Sequence, residues 1–250
     1  MHYRLLHSVL AAALFATPAL ADVDALVAEG DRYAAKFKSD AALKAYLAAE
    51  KEDPSDADLL ARISRQYRHK MSDASREEEK RRLGQNAVNY AERAIQEEPD
   101  DADAQLALAI SLAKLLPLQG NRERMEGSRR IKEAAEKAIA LDPQNDLGWH
   151  ILGRWNLLLA DVGPVRRAVA RVVYGKLPPA TNEAAVKYFE RAIQLNPNRL
   201  MHYIELGRTY AQMGQKREAR KFIEKGLEMR ETEKDDPETK ARGREILRRL

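Results

Sequence analysis

Apolar and charged residues alternate along this chain in short helical patches, and four prolines interrupt the pattern at similar points. They stand in "EDP" (Pro54), "EEP" (Pro99), "LDP" (Pro143) and "LNP" (Pro197). The stretch "ALDPQNDLGWHILGRW", residues 140–155, returns as "QLNPNRLMHYIELGRTY", residues 194–210. Each copy writes a helix end, an Asp/Asn-Pro stop and a new helix that opens on an aromatic residue followed by Leu-Gly. Proline cannot continue the helix before it, so each stop predicts a turn into a new helix.

Small residues keep step with the prolines. Five positions before each stands Ala49, Ala94, Ala138 or Ala192, and seven further back Ala42, Ala87 and Ala185, with Ile131 breaking the rule in the third unit. A fifth unit carries Ala219 and Gly226, with Glu231 in the proline's place. The helix after each turn has its own small residue, at Gly30, Ser64, Ala109, Gly153 and Gly207, and three residues on comes Tyr33, Tyr67, Leu112, Asn156 or Tyr210. Small side chains permit close helix approach while large ones fill the gaps between helices. This is the pattern of the tetratricopeptide repeat, a helix-turn-helix unit of 34 residues. It predicts an all-α, right-handed α-solenoid of about five helix pairs, over about residues 22–54, 55–99, 100–143, 144–197 and 198–231. A helix over about 236–250, with Pro237 at its first turn, would cap the final apolar face.

The spacing is irregular. The prolines lie 45, 44 and 54 residues apart, so units two to four are expanded, with the excess between their two helices in residues 68–86, 114–130 and 157–184.

Composition agrees with a helical protein of well-solvated faces, 33% charged and 44% hydrophobic. The 43 basic and 39 acidic residues give a net charge of +4, a mixed surface that argues against nucleic acid as a partner. There is no cysteine, which excludes disulfides and Cys-based metal or redox sites. The opening "MHYRLLHSVLAAALFATPALA" has a short polar start, an apolar run over residues 9–15 and Ala19-Leu20-Ala21 ahead of Asp22. It reads as a signal peptide cleaved after Ala21 and predicts an exported protein, periplasmic or secreted, with no transmembrane segment in the mature chain.

Three stretches carry a closer resemblance: "ARISRQYRHKMSDASREEEKRRLGQNAVNYAERAI", "RIKEAAEKAIALDPQNDLGWHILGRW" and "RRAVARVVYGKLPPATNEAAVKYFERAIQLNPN" followed by "LGRTY". From about Leu59 to Gln215 the sequence resembles the regulator of microtubule dynamics family, expanded units included. That resemblance implies a superhelical groove for a peptide or an acyl chain. Family members are adaptors implicated in microtubule association and, in one branch, in phospholipid binding or transfer.

In a stacked helical array the first helix of each unit lines the concave face. The residue after each small position is then Asp31, Arg65, Ile110, Arg154 or Arg208. Arg68 and His69 extend the same side one turn on, His150 precedes Arg154 by a turn, and Trp155 is its neighbour. Arginine's planar fork suits carboxylates and phosphates. The residues therefore predict a groove for an acidic or C-terminal protein segment, with a phospholipid headgroup as the alternative ligand. Against that stands the ordinary role of arginine, pairing with neighbouring carboxylates. The insert "GPVRRAVARVVYGKLPP", residues 163–179, places valines on one helical face and arginines on another, to pack on the adjacent repeat or to cover the groove. No metal-ligand spacing, Gly-rich phosphate loop or nucleophile elbow occurs, so neither a cofactor nor catalysis is expected.

Overall fold

The computed structural model describes residues 22–163 and 179–250. The expected export segment, residues 1–21, and most of the amphipathic insert, residues 164–178, lie outside them. Eleven α-helices make up the described chain: α1 Val23–Ala34, α2 Ser39–Glu52, α3 Ala57–Asp73, α4 Glu77–Glu97, α5 Ala102–Leu115, α6 Asn121–Leu141, α7 Asp146–Ala160, α8 Asn182–Leu195, α9 Leu200–Gln212, α10 Lys216–Glu228 and α11 Asp236–Arg249. They stack as an α-solenoid in which α1/α2, α3/α4, α5/α6, α7/α8 and α9/α10 pair most extensively and α11 packs on the last pair.

The turn between pairs is written in four residues. The residue before each proline, Asp53, Glu98, Asp142 or Asn196, has φ between −138° and −128° with ψ near 90°. The proline ring disfavours the helical region for its predecessor, so the second helix of each pair must stop there. Asp53, Asp142 and Asn196 also accept a hydrogen bond from the backbone N–H two residues on, which fixes the bend. Asp56, Asp101 and Asn145 then cap α3, α5 and α7 by accepting from the first free N–H groups, as Asp22 does for α1. The recurring aromatic has a role here: Trp149 Nε1 and Tyr203 Oη each donate to the carbonyl of the proline six residues earlier, at 3.0 Å.

Within each pair, volumes compensate across the contact. A Cβ on Gly30 would stand 2.3 Å from the Tyr46 ring, on Gly153 2.8 Å from Phe189, and on Gly207 2.6 Å from Ile223. In the second and third pairs Ser64 and Ala109 replace the glycine, and the register-equivalent positions in the second helix shrink to Ala91 and Ala135, both fully buried. Close packing of this kind punishes any change made on one side alone.

The extra residues of unit two are helical rather than looped. α3 and α4 run on for 17 and 21 residues, and only residues 74–76 separate them. "REEEKRR" supplies strong helix formers, an acidic first turn that favours the helix N-terminus, and the Glu77–Arg81 ion pair one turn apart. In unit three the excess forms a short 3-10 turn, Leu116–Leu118, and a 21-residue α6. Units one and five are not lengthened and share a tight turn with a left-handed residue at the equivalent position: Gly214 at φ 75° and Phe37 at φ 54°.

Candidate functional site

The concave face encloses about 760 Å³, lined by α1, α3, α5 and α7, by residues of α9 and α11, and by the segment that joins α10 to α11. Of the residues that follow the small positions, Asp31, Arg65, Ile110 and Arg154 line it; Arg208 does not. Arg208 Nη1 instead donates to Glu205 Oε2 at 3.3 Å.

Glu205 is 1% exposed and draws a second cation: Arg242 Nη2 lies 2.9 Å from its Oε1. Burial alone would raise this carboxyl, but the charges of Arg154, Arg242 and Arg208 outweigh it and hold Glu205 below the usual carboxylate range. Two guanidinium groups thus contact this carboxylate, and the charge of a third, Arg154, acts on it from further away. Arg154, set into the wall, is pulled below its ordinary value by burial, partly offset by Glu205 and deepened by Arg242 and Arg208.

Toward the other end of the groove, Arg68 is buried with no carboxylate in ion-pair contact among the described residues. Its Nη1 donates to the Ala107 carbonyl at 3.1 Å and to Ser111 Oγ at 3.5 Å. Burial, with repulsion from Arg65, pushes it down to about 9, against a small pull from Asp235. Burial and the Arg68 charge likewise push His69 down to about 4, and its Nδ1 has no partner among the described residues. Both groups adjoin the groove as the sequence predicts, but Arg68 is turned into the wall and serves α5.

His150 occupies the wall as the end member of a buried chain. His202 Nε2 meets Asp146 Oδ2 at 2.8 Å, His202 Nδ1 meets His150 Nδ1 at 2.9 Å, and Arg199 Nε reaches the same Asp146 oxygen at 3.2 Å. No local sequence signal announces this chain, because its members belong to two consecutive units and meet only when those units stack.

Trp155 corrects the sequence reading. It is 5% exposed, its ring packs in the largest core cluster, and Nε1 donates to the Ser128 carbonyl at 2.8 Å. One residue beyond Arg154 is about 100° further round the helix, which turns Trp155 onto α6 and away from the groove. Trp149, the aromatic residue that opens α7, is only half buried and lies against Tyr188.

The wall missing from the sequence reading is residues 231–236, "ETEKDD". These pass along the groove and reach back to units two and three. Asp235 accepts from Ser72 Oγ at 2.7 Å and from Lys114 Nζ, and Lys234 Nζ lies 2.7 Å from Asp73. Glu233 pairs with Arg199 at 3.4 Å. Lys114 is lowered by burial and partly restored by Asp235; Asp235 would be raised by burial, but Lys114 and Ser72 hold it below its ordinary value. Among the described residues no group of three or more His, Cys, Asp or Glu side chains could hold a metal ion, and no helix is long and apolar enough to cross a membrane.

Residues 19–250 match the family described as regulator of microtubule dynamics protein 1-3. Regulator of microtubule dynamics protein 1 of Bos taurus is 30% identical over 205 residues, covering 81% of this chain and 64% of that protein. The Homo sapiens protein of the same name is 30% identical over 189 residues, 75% of this chain and 60% of its own length. Protein 3 of Mus musculus is 27% identical over 181 residues, 72% and 38% respectively. This chain therefore spans less than two thirds of the length of these relatives. Among solved structures, a thermophilic TPR protein of Thermus thermophilus superposes with a TM-score of 0.63 at 18% identity, covering 90% of this chain and 99% of the other. The Pseudomonas aeruginosa pilF protein does so with a TM-score of 0.57 at 16% identity, covering 91% of each. At such identities the likeness is one of fold.

Proposed function

Since the chain belongs to the regulator of microtubule dynamics family, a family of tetratricopeptide-like interaction scaffolds, we propose that it is a non-catalytic scaffold whose concave groove holds an acidic segment of a partner protein. One observation carries the reading: the groove already receives carboxylates, with Lys114 and Ser72 on Asp235 and Arg199 on Glu233. Arg65 and Arg154 line the same space with no ion pair of their own among the described residues, and are the donors available to a partner. The lining mixes apolar side chains such as Leu106, Ile110 and Ile151 with the charged Asp31, Arg65, Lys114, Arg154 and Arg242, and it is the charged set that favours a protein carboxylate over an acyl chain. Export of the chain is part of the proposal and rests on the Ala19-Leu20-Ala21 site; N-terminal sequencing of the exported protein should begin at Asp22.

The binding test is charge reversal. A fluorescent hexaglutamate peptide should bind the full chain with an affinity that rises as salt falls. Arg65→Glu combined with Arg154→Glu should weaken it by at least about tenfold, equivalent to some 1.4 kcal/mol, with an unchanged circular-dichroism spectrum. Undiminished binding by that variant would refute the groove as the site. What the relatives' names state, regulation of microtubule dynamics, describes those longer proteins.

A further inference from the structure

The segment between α10 and α11 has the chemistry of the partner just proposed. Residues 231–236 carry four acidic side chains and one lysine, lie along the groove, and touch residues up to 163 positions earlier in the chain. What holds them there is of one kind. Met229 packs with Leu200, Ile204 and Ile223 on one side, and α11 is anchored on the other by Ile246, Leu247 and the close approach of Gly243 to Ile204. Between these two anchors, residues 230–235 contribute no apolar contact to any core cluster of the described residues. Their links to the groove are the ion pairs and hydrogen bonds of Glu233, Lys234 and Asp235 with Arg199, Asp73, Lys114 and Ser72.

The ion pairs that hold the segment on the groove each join a largely covered cation to a carboxylate about half exposed, so the attachment weakens as salt rises. The apolar anchors on either side do not depend on these pairs, while Asp236, at the start of α11, accepts from the N–H groups of Thr232 and Glu233 and keeps the turn together. Resting on the reading above, we propose that residues 231–235 are an internal stand-in for the partner: an acidic protein segment gains the groove by displacing them, its own carboxylate taking the place of Asp235 between Lys114 and Ser72. The groove is thereby selective. An occupant must offer more than the tethered segment does, in charge or in additional contacts to Arg65 and Arg154. The sequence recognised is an Asp flanked by further acidic residues, as in "TEKDD".

The experiment uses a synthetic fluorescent peptide copying residues 229–237 and the full chain. A variant with Glu233→Ala, Lys234→Ala and Asp235→Ala removes the tethered contacts and leaves Arg65, Lys114, Arg154 and Arg199 in place. It should bind the peptide at least about tenfold more tightly than the unmodified protein, and Lys114→Glu in that background should abolish the gain. Equal affinity for both would overturn the displacement proposal while leaving the groove reading in place; no binding to either, with helicity retained, would overturn both. Should the triple variant fail to fold, hydrogen exchange on the unmodified protein decides. Saturating hexaglutamate should accelerate exchange of the amides of residues 231–235, and unchanged exchange with the peptide bound would overturn the displacement.

Discussion

His150 and His202 approach to 2.9 Å between their Nδ1 atoms across the boundary between the fourth and fifth helix pairs. An ionised Asp146 can only accept, so His202 donates from Nε2 to the carboxylate and offers the lone pair of Nδ1; His150 must then donate from its own Nδ1. His150 Nε2 is left as a buried lone pair without a partner among the described residues. Burial, with the neighbouring cations, holds both imidazoles below their ordinary value, so the pair is neutral in the folded protein.

A pH dependence follows with a definite sign. The unfolded chain takes up protons on these histidines near their ordinary value of about 6.5, before the folded protein does, so stability is full above that pH and declines as pH falls below it. His69, pushed down to about 4, acts in the same direction. Below about pH 4 the depressed carboxyls of Asp146, Glu205 and Asp235 add a second loss. The urea midpoint should therefore fall between about pH 7.5 and about pH 5.5, and by less in a His150→Phe, His202→Leu variant. A midpoint that stays flat would disprove the neutral pair.

Gly153 and Phe189 form a matched contact. Gly153→Ala should destabilise the protein by about 1–3 kcal/mol, since the new methyl meets the phenyl ring at 2.8 Å. Phe189→Ala alone should cost about 3–5 kcal/mol. The two together rebuild the Ala–Ala contact of unit three, so the double variant should lose clearly less than the sum. Simple additivity in a denaturation cycle would show that the two positions are uncoupled.

Arg68 separates stability from binding. Replacing it with Met removes a buried cation that has no anionic partner in contact among the described residues, while the Ala107 carbonyl keeps the Ser111 hydroxyl at 2.7 Å as a donor. Stability should change by less than about 1 kcal/mol or improve, as for other buried charges replaced by apolar residues of similar volume. Binding of the acidic probe should weaken only slightly, because the guanidinium is committed to α5. A loss of several kcal/mol would show that the charge holds α3 and α5 together.

Phe37 is strained and exposed at once. Its φ of 54° lies where glycine is preferred, its equivalent in unit five is Gly214, and its ring, 38% exposed, lies at the groove edge against His69. Strain kept at such a place points to use. Phe37→Gly should leave stability unchanged or raise it by up to about 1 kcal/mol and weaken the acidic probe; unaltered binding would make the ring a bystander.

The repeat was legible because its signals are local. Each proline with its preceding Asp, Glu or Asn fixes a turn within four residues, and the residue after the small position lines the concave face by helical period in the first four units, as Arg65 and Arg154 do, but not in the fifth, where Arg208 turns to Glu205. Trp155 failed the same reasoning, since adjacent residues on a helix face different neighbours and sequence does not say where the wall of the groove ends. Least legible were Lys114, Arg199, Arg242 and the segment 231–236. Their meeting requires the curvature of several stacked units to bring Asp235 to Ser72, and that sum of small rotations is written at no single position.

That same closure changes how the molecule should come apart. An open array frays from its ends, each unit leaning only on its neighbours. Here the segment after the last unit is tied back to the second and third through ion pairs, so units two to five are expected to melt together at low salt, while high salt or an acidic occupant of the groove should let them fray like an open array. The α1/α2 pair stands outside that closure, joined through contacts such as Asp31 with Arg62 and Asp40 with Lys70. It is the element free to open first, exposing the Asp31 end of the groove while the units behind it hold their shape.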